Sequence, residues 1–292
     1  MTSIREVVRP RGLEDVLSIL ADHDTESRLL AGGTDLLLKY RDQPGSEITI
    51  VDTTGVATLG EMTEEADGLR IGAAVRLADI IASDIVADRF PVLVDGAAVV
   101  AGPQIRNMAT VGGNVCNASP SADTIPPLLV LNARAHIVSA AGRRIVPVEE
   151  FFVGPGKTIL ERGEMLEALW VPWPEPNAAA SYTKLSPRRA MDLAVVGVAV
   201  ALWGNSTGLH ARIGLGAVAP TPIRATAAEE IINGAARMDP NLAADAARAA
   251  AAGISPISDV RGSAEYRKKM VERLVTRLLV DLGERVGEQQ EA

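Results

Sequence analysis

Leu29-Leu-Ala-Gly-Gly-Thr-Asp-Leu-Leu-Leu38 joins an apolar run to a second apolar run through two adjacent glycines. Residues 27–31 read as a short strand, and Leu36 to Leu38 as the opening turn of a helix. Paired glycines at that junction let the backbone take a positive φ and come close to a ligand. The N–H groups of such a turn suit a pyrophosphate, which a side chain would otherwise hold away. The pattern recurs in Ala109-Thr-Val-Gly-Gly-Asn-Val115, and Thr34, Thr110 and Asn114 add hydroxyl and amide partners. Either segment alone reads as a surface turn. Two in one chain shift the reading towards a diphosphate ligand.

Upstream, residues 12–21 read as a helix with Leu13, Val16, Leu17 and Leu20 on one face. Downstream, 47–52 read as a strand, so helix, strand, loop, helix and strand form a small α/β unit, a first subdomain of about 1–54. A second, about 55–177, follows the loop around Gly55 and Gly60. It holds a strand at 68–73, helices at 77–83 and 92–100, and a segment at 101–127 whose Gly, Asn, Ser and Pro content reads as loop. Residues 128–131 close a short helix begun near Asp123, and 135–139 with 143–148 form a hairpin around Ala141-Gly142. The segment 170–177, with Pro172, Pro174 and Pro176, reads as a linker. A C-terminal domain at 178–287 then holds strands at 193–203 and 210–217, joined at Gly204-Asn205. Thr226-Ala-Ala-Glu229 has capping-box spacing ahead of Ile231 and Ile232. An Ala-rich helix at 242–252 stops at Gly253, and a long amphipathic helix at 263–282 stops at Gly283. The polar end reads as frayed, with 288–292 a tail.

Bulk properties exclude several function classes. The chain has 292 residues and a formal charge of −8, which argues against a nucleic-acid partner because a phosphate backbone selects basic patches. No apolar run approaches the roughly 20 residues of a transmembrane helix. The N-terminus lacks the basic-then-apolar pattern of a secretory signal, so a cytoplasmic location is expected. Cysteine usage decides more. With one cysteine, Cys116, and three scattered histidines, His23, His136 and His210, the chain can form neither an internal disulfide nor a four-cysteine iron–sulfur site. A Cys/His zinc site is equally disfavoured. Redox chemistry here needs an organic cofactor or metals on a partner.

Other signals fail on inspection. Gly154-Pro-Gly-Lys-Thr158 resembles the end of a phosphate-binding P-loop, but Phe151 stands where the pattern needs glycine. Gly214-Leu-Gly-Ala-Val-Ala219 has dinucleotide spacing, but Pro220 and Pro222 stand where a helix must begin. Cys116 lacks an electropositive neighbour in sequence and reads as a small structural residue. His136, within an apolar strand, reads as a core or edge histidine. Lys184, near Arg188 and Arg189, reads by itself as part of a solvated basic turn.

Five stretches, taken in order, resemble a known family. Ala31-Gly-Gly-Thr-Asp-Leu-Leu37, Ala109-Thr-Val-Gly-Gly-Asn114 and Asn117-Ala-Ser-Pro-Ser-Ala-Asp-Thr-Ile-Pro-Pro127 look like the FAD-binding subunits of the xanthine dehydrogenase and carbon monoxide dehydrogenase group. Phe151-Phe-Val-Gly-Pro-Gly-Lys-Thr158 and Tyr182-Thr-Lys-Leu-Ser-Pro-Arg-Arg-Ala-Met-Asp-Leu-Ala194 are similar to later stretches of that family. The resemblance implies an α+β chain: a vanillyl-alcohol-oxidase (PCMH) type FAD-binding fold of two α/β subdomains, followed by a C-terminal α+β domain. It places Leu30, Ala31, Gly32, Gly33, Thr34, Asp35, Leu36 and Leu37 in one pyrophosphate loop, and Thr110, Val111, Gly112, Gly113 and Asn114 in the other. It places Asp123 at the adenosine or ribose end, and Leu166 and Lys184 along the cofactor site. Lys184 thereby gains a role, since its charge would stabilise an electron-rich reduced flavin. Val100 stands where xanthine-oxidizing relatives can set an aromatic residue beside the flavin, and valine cannot stack.

The resemblance also implies partners: a small subunit with two [2Fe–2S] clusters and a large molybdopterin-binding subunit, assembled as a heterotrimer or a dimer of heterotrimers. FAD on this chain would take electrons from the clusters and pass them to an external acceptor, so no catalytic acid, base or nucleophile is nominated. Two other readings stand beside it. A stand-alone flavin oxidase would turn over by itself, and a flavin-less assembly module would be colourless.

Overall fold

The structure, a computed structural model, describes residues 3–22, 26–41, 47–188 and 191–291. The first unit is β1 (Ser3–Val8), α1 (Leu13–Ala21), β2 (Ser27–Leu30), α2 (Leu36–Arg41) and β3 (Glu47–Asp52). Its three strands are parallel, in the order β1-β3-β2. β3 is central because four consecutive residues, Ile48 to Val51, are buried. β1 was not expected from sequence. Ile4 and Val7 stay exposed on either side of Arg5 and Glu6, so β1 lacks a core face of its own and is set by pairing with β3. α1 buries Val16, Leu17 and Leu20 against Val51, Leu59, Val138 and Met165, tying this unit to the next sheet.

The second unit runs through β4 (Met62–Glu65), β5 (Gly68–Gly72), α3 (Leu77–Ala82), α4 (Asp84–Arg89), α5 (Pro91–Ala98), α6 (Pro103–Arg106), α7 (Val111–Cys116) and α8 (Ile125–Val130). It continues with β6 (Arg134–Ser139), β7 (Gly142–Pro147), a short pair β8 (Phe152–Gly154) and β9 (Lys157–Thr158), and β10 (Met165–Pro172). The sheet is antiparallel, in the order β4-β5-β10-β6-β7. Two expectations need correction. The stretch 101–127 is not one loop: it carries α6 and α7, opened by Pro103 and by the Thr110 cap, while α8 begins at Ile125, close to the expected Asp123. The linker is shorter than 170–177, because Trp170, Val171 and Pro172 finish β10 opposite Arg70, Leu69 and Gly68. Pro172 is the last strand residue, where a missing N–H is tolerated.

The third unit is β11 (Ala179–Leu185), β12 (Val196–Asn205), β13 (Gly208–Gly216), β14 (Ile223–Arg224), α9 (Thr226–Ile232), α10 (Pro240–Ala252) and α11 (Ala264–Glu291). Its antiparallel sheet has the order β11-β12-β13-β14. Val196, Val198, Val200 and Leu202 face a cluster with residues of α9, α10 and α11. Ala199, Ala201 and Tyr182 join instead the large core that includes residues of α5 and α8. The sheet is therefore packed on both faces, and every residue of α8 is buried.

Three details differ from the sequence reading. The β12–β13 turn lies at Ser206-Thr207, where Asn205 Oδ1 accepts from both the N–H (2.8 Å) and the hydroxyl (2.6 Å) of Thr207. The capping box does not form, because Ala225 precedes the first helical residue. Glu229 turns inward, accepting the Ile213 N–H at 2.8 Å and pairing with Arg224. α11 passes through Gly283 to Glu291 instead of stopping there. A methyl group on Gly283 would lie 2.5 Å from Met238 Cβ, so this glycine permits close packing and is no terminator.

Candidate functional site

The two glycine segments meet. A methyl built on Gly32 would lie 2.1 Å from the Met108 carbonyl oxygen and 2.9 Å from Ala109 Cα, so the β2–α2 loop rests on the backbone entering the second segment. Gly33 has φ +69°, the left-handed region that favours glycine. The loop is anchored behind by Thr53, whose N–H (2.9 Å) and hydroxyl (3.0 Å) both donate to Leu30 O. Among the described residues, the backbone N–H groups of Gly32, Gly33, Thr34 and Asp35 donate to no protein acceptor. This is a row of donors left open at a half-buried turn, the arrangement that suits an anion.

The second segment is built differently from the expectation. Val111 N donates to Val75 O (2.9 Å), Gly112 N to Ala73 O (3.0 Å), Gly113 N to Thr110 Oγ1 (3.1 Å) and Asn114 N to Thr110 O (2.9 Å). All four backbone donors are spent inside the protein, because the segment caps and opens α7. Gly112 is required by packing, since a methyl there would sit 2.5 Å from Ala73. Asn114 Oδ1 accepts from Thr124 Oγ1 at 2.6 Å, which leaves its amide nitrogen as the donor for a ligand. What this segment offers a ligand is side-chain donors and, at exposed Gly113, close approach.

Asp123 and Lys184, far apart in the chain, form one buried pair. Lys184 Nζ lies 2.7 Å from Asp123 Oδ2, with side-chain exposures of only 8% and 7%. Lys184 also donates to Val99 O at 3.2 Å. Tyr182, missed by the sequence reading although it opens a quoted motif, donates its hydroxyl to Asp123 Oδ1 at 2.7 Å. Burial pushes the Asp123 carboxyl above its ordinary range, and Lys184 and Tyr182 pull against that. Burial, with the Asp123 charge beside it, lifts the Tyr182 phenol well above its usual value, so it remains a donor. An ammonium has three donors, and two of those on Lys184 are engaged among the described residues. The third is available to a ligand atom. A buried pair of this kind adds little net stability over an apolar replacement, whereas removing one partner costs about 3–5 kcal/mol.

The other nominated residues separate. Leu166 is buried on β10 opposite Ile137, at a register shift, and is a core residue of the central sheet. Leu36 packs against Tyr40 and Ile50, while Leu37 is exposed. Val100 is partly buried against the core beside Val99, whose carbonyl holds Lys184. Gly154 to Lys157 turns between β8 and β9, with Gly156 at φ +68°, and no helix follows. Gly214 lies on β13, where a methyl would meet Pro126 O at 2.6 Å. Burial pushes the Cys116 thiol up to about 12, so it carries no thiolate at neutral pH. His136 is half-buried on β6, and burial with neighbouring Arg70 lowers its pKa. Arg188 pairs with Asp192 at the surface, and His23 and Arg189 lie outside the described residues.

Known proteins resemble the chain along nearly its whole length. The family model described as the FAD binding domain in molybdopterin dehydrogenase matches residues 2–174, and the CO dehydrogenase flavoprotein C-terminal domain matches 181–282. The putative xanthine dehydrogenase FAD-binding subunit of Escherichia coli K12 is 36% identical over 274 residues, 93% of each chain. The nicotine 6-hydroxylase medium subunit of Paenarthrobacter nicotinovorans is 33% identical over 277 residues, 94% of this chain and 96% of that one. Among solved structures, a carbon monoxide dehydrogenase chain from Hydrogenophaga pseudoflava superposes with a TM-score of 0.91 at 31% identity, covering 98% of this chain and 99% of its own.

Proposed function

The chain belongs to the family of FAD-binding subunits of molybdenum hydroxylases, and from that premise we propose that the open turn at 32–35, the second glycine segment and the Asp123–Lys184 pair hold FAD for electron transfer. The chain is the flavoprotein component of an oxidoreductase complex and is incomplete as an enzyme without its partners.

One observation carries the site reading: the four unspent N–H groups of Gly32 to Asp35, in a turn seated directly on the second glycine segment. A diphosphate placed there meets backbone donors on one side, and the Thr110 hydroxyl and Asn114 amide on the other. The donor set fits the group, since it is rich in N–H and hydroxyl and includes a lysine ammonium with a donor to spare. Bound FAD supplies the capacity to accept electrons singly and release them in pairs. Lys184 holds positive charge at the site, and Asp123 and Tyr182 fix where that charge sits. Leu166 supports the site from the core of the sheet. No side chain in this arrangement has to give or take a proton for electrons to pass.

On this reading, electrons arrive from the [2Fe–2S] clusters of a small subunit, which receives them from a large molybdopterin-binding subunit. The assembly is a dimer of heterotrimers, and the location is cytoplasmic. Among the described residues no helix is long and apolar enough to cross a membrane. Relatives are named for xanthine, nicotine and carbon monoxide chemistry on similar medium subunits, which is consistent with the large subunit selecting the substrate.

The test is the absorption spectrum of the natively purified chain, followed by heat release of its chromophore. Flavin bands with FAD released on heating, and co-purification of both partners, support the reading. A colourless chain that refuses added FAD would favour an assembly module, and substrate turnover by the isolated chain a stand-alone oxidase. Covalent flavin through Cys116 is disfavoured by its raised thiol pKa.

A further inference from the structure

Arg267, near the start of α11, is only 3% exposed, and its guanidinium is committed to the ends of two strands. Nη1 donates to Val195 O at 2.7 Å and Ala217 O at 2.9 Å, and Nη2 to Asp259 Oδ1 at 2.7 Å. Its Nε is, among the described residues, the one buried side-chain nitrogen or oxygen without a partner. Burying a guanidinium with a donor unsatisfied is costly, and an apolar side chain of similar volume would serve packing alone at least as well. The two carbonyls explain the choice of residue.

Val195 opens the connection into β12, and its own N–H donates to Leu185 O at 2.8 Å, next to Lys184. Ala217 directly follows β13 at φ +64°, a conformation unfavourable for a residue with a Cβ. Its N–H donates to Pro120 O at 2.6 Å, in the segment between α7 and α8 that presents Asp123. One guanidinium thus reaches both sides of the buried pair, Lys184 through Leu185 and Val195, and Asp123 through Pro120 and Ala217. Asp259, which completes the clamp, is itself held by Arg261 and by its own turn.

We propose that Arg267 is a positioning residue of the flavin site: it sets the geometry of the Asp123–Lys184 pair from the far side of the C-terminal sheet, touching neither cofactor nor acceptor. This rests on the reading of Asp123 and Lys184 as cofactor-site residues. Packing that merely stabilised α11 would alter thermal stability and leave the flavin unchanged. A positioning role alters the flavin itself.

The experiment measures the reduction potential and visible spectrum of FAD in the full-length chain within its native complex, for wild type, R267M, R267K, K184M and the R267M/K184M double variant. The expected result is a more negative potential in R267M, in the same direction as K184M, with FAD retained roughly tenfold less tightly, equivalent to about 1.4 kcal/mol. R267K keeps the charge and can hold a single carbonyl, and it recovers part of the shift. The double variant moves no further than K184M, because both changes act on one pair. R267M with a lowered melting temperature but wild-type potential and spectrum overturns the inference, as does an additive double variant. Should R267M fail to fold, D259N loosens the same clamp at its solvent end. A smaller shift of the same sign supports the inference, and an unchanged potential overturns it. A wild-type chain without FAD, or a K184M chain with unchanged potential, removes the site reading and this inference with it. A shift confined to K184M removes this inference alone.

Discussion

Single residues of this site differ in how far sequence exposes them. Gly32 and Gly33 are legible because a paired glycine after a strand states a local backbone need, and the structure meets it with φ +69° at Gly33. Gly32→Ala forces a methyl to 2.1 Å from the Met108 carbonyl oxygen. It is expected to cost about 1–3 kcal/mol through overpacking and to empty the flavin site, as read by urea unfolding midpoint and flavin content. The Asp123–Lys184 pair is illegible without a family pattern, since 61 positions separate the partners. Tyr182 is hidden for the same reason, and only the fold brings its hydroxyl to Asp123. The second glycine segment misleads: Gly112 marks tight packing on Ala73, and the segment's backbone donors are already used. His136 gives a pH prediction. Burial, with Arg70 nearby, depresses its folded pKa below the ordinary 6.5, so on acidification the unfolded chain takes up the proton first. Its contribution is present above pH 6.5 and is lost as pH falls from there through the folded pKa. His136→Gln is expected to flatten the decline of melting temperature with acid across that window, measured by a thermal scan at each pH.

Elements are legible where one periodicity dominates. α1 shows its buried face at Val16, Leu17 and Leu20, and β3 shows a continuous apolar run. The hairpin of β6 and β7 forms as expected, but its turn is Ala140-Ala141, and Gly142, paired with Ser139, already belongs to β7. β10 is concealed because Pro172 and its neighbours suggest a linker, although the strand is central and paired on both sides. β1 and β11 are concealed because neither carries a clear alternation, and pairing with β3 and β12 defines them. α11 shows how one glycine can be read two ways. Gly283 ended the helix by composition, whereas the structure continues it with Met238 packed against the bare Cα. Two effects therefore compete in Gly283→Ala: helix propensity gains about 1 kcal/mol, and the methyl meets Met238 Cβ at 2.5 Å. Overpacking costs typically about 1–3 kcal/mol and the opposing atom is no flexible side-chain tip, so a net loss of stability is expected in chemical denaturation.

For the whole molecule, the α+β class and the family were readable from ordered motifs, while the way the parts support one another was not. The C-terminal sheet packs helices on one face and, on the other, joins the core around α5 and α8, and it delivers Tyr182 and Lys184 to Asp123. A chain cut after Asn177 would leave the Asp123 carboxyl without both partners and bare the covering of α8. It is expected to aggregate or to retain no flavin, as size-exclusion chromatography with absorbance detection will register. The protonated Cys116 thiol has a practical side at this scale. Burial raises the pKa of the one native sulfhydryl, so it is expected to react far more slowly with maleimides under mild labelling conditions than an exposed cysteine does. Any cysteine engineered onto its surface becomes the preferred attachment point for a spin label or fluorophore. Contacts with neighbouring subunits can then be mapped by distance spectroscopy without first building a cysteine-free background.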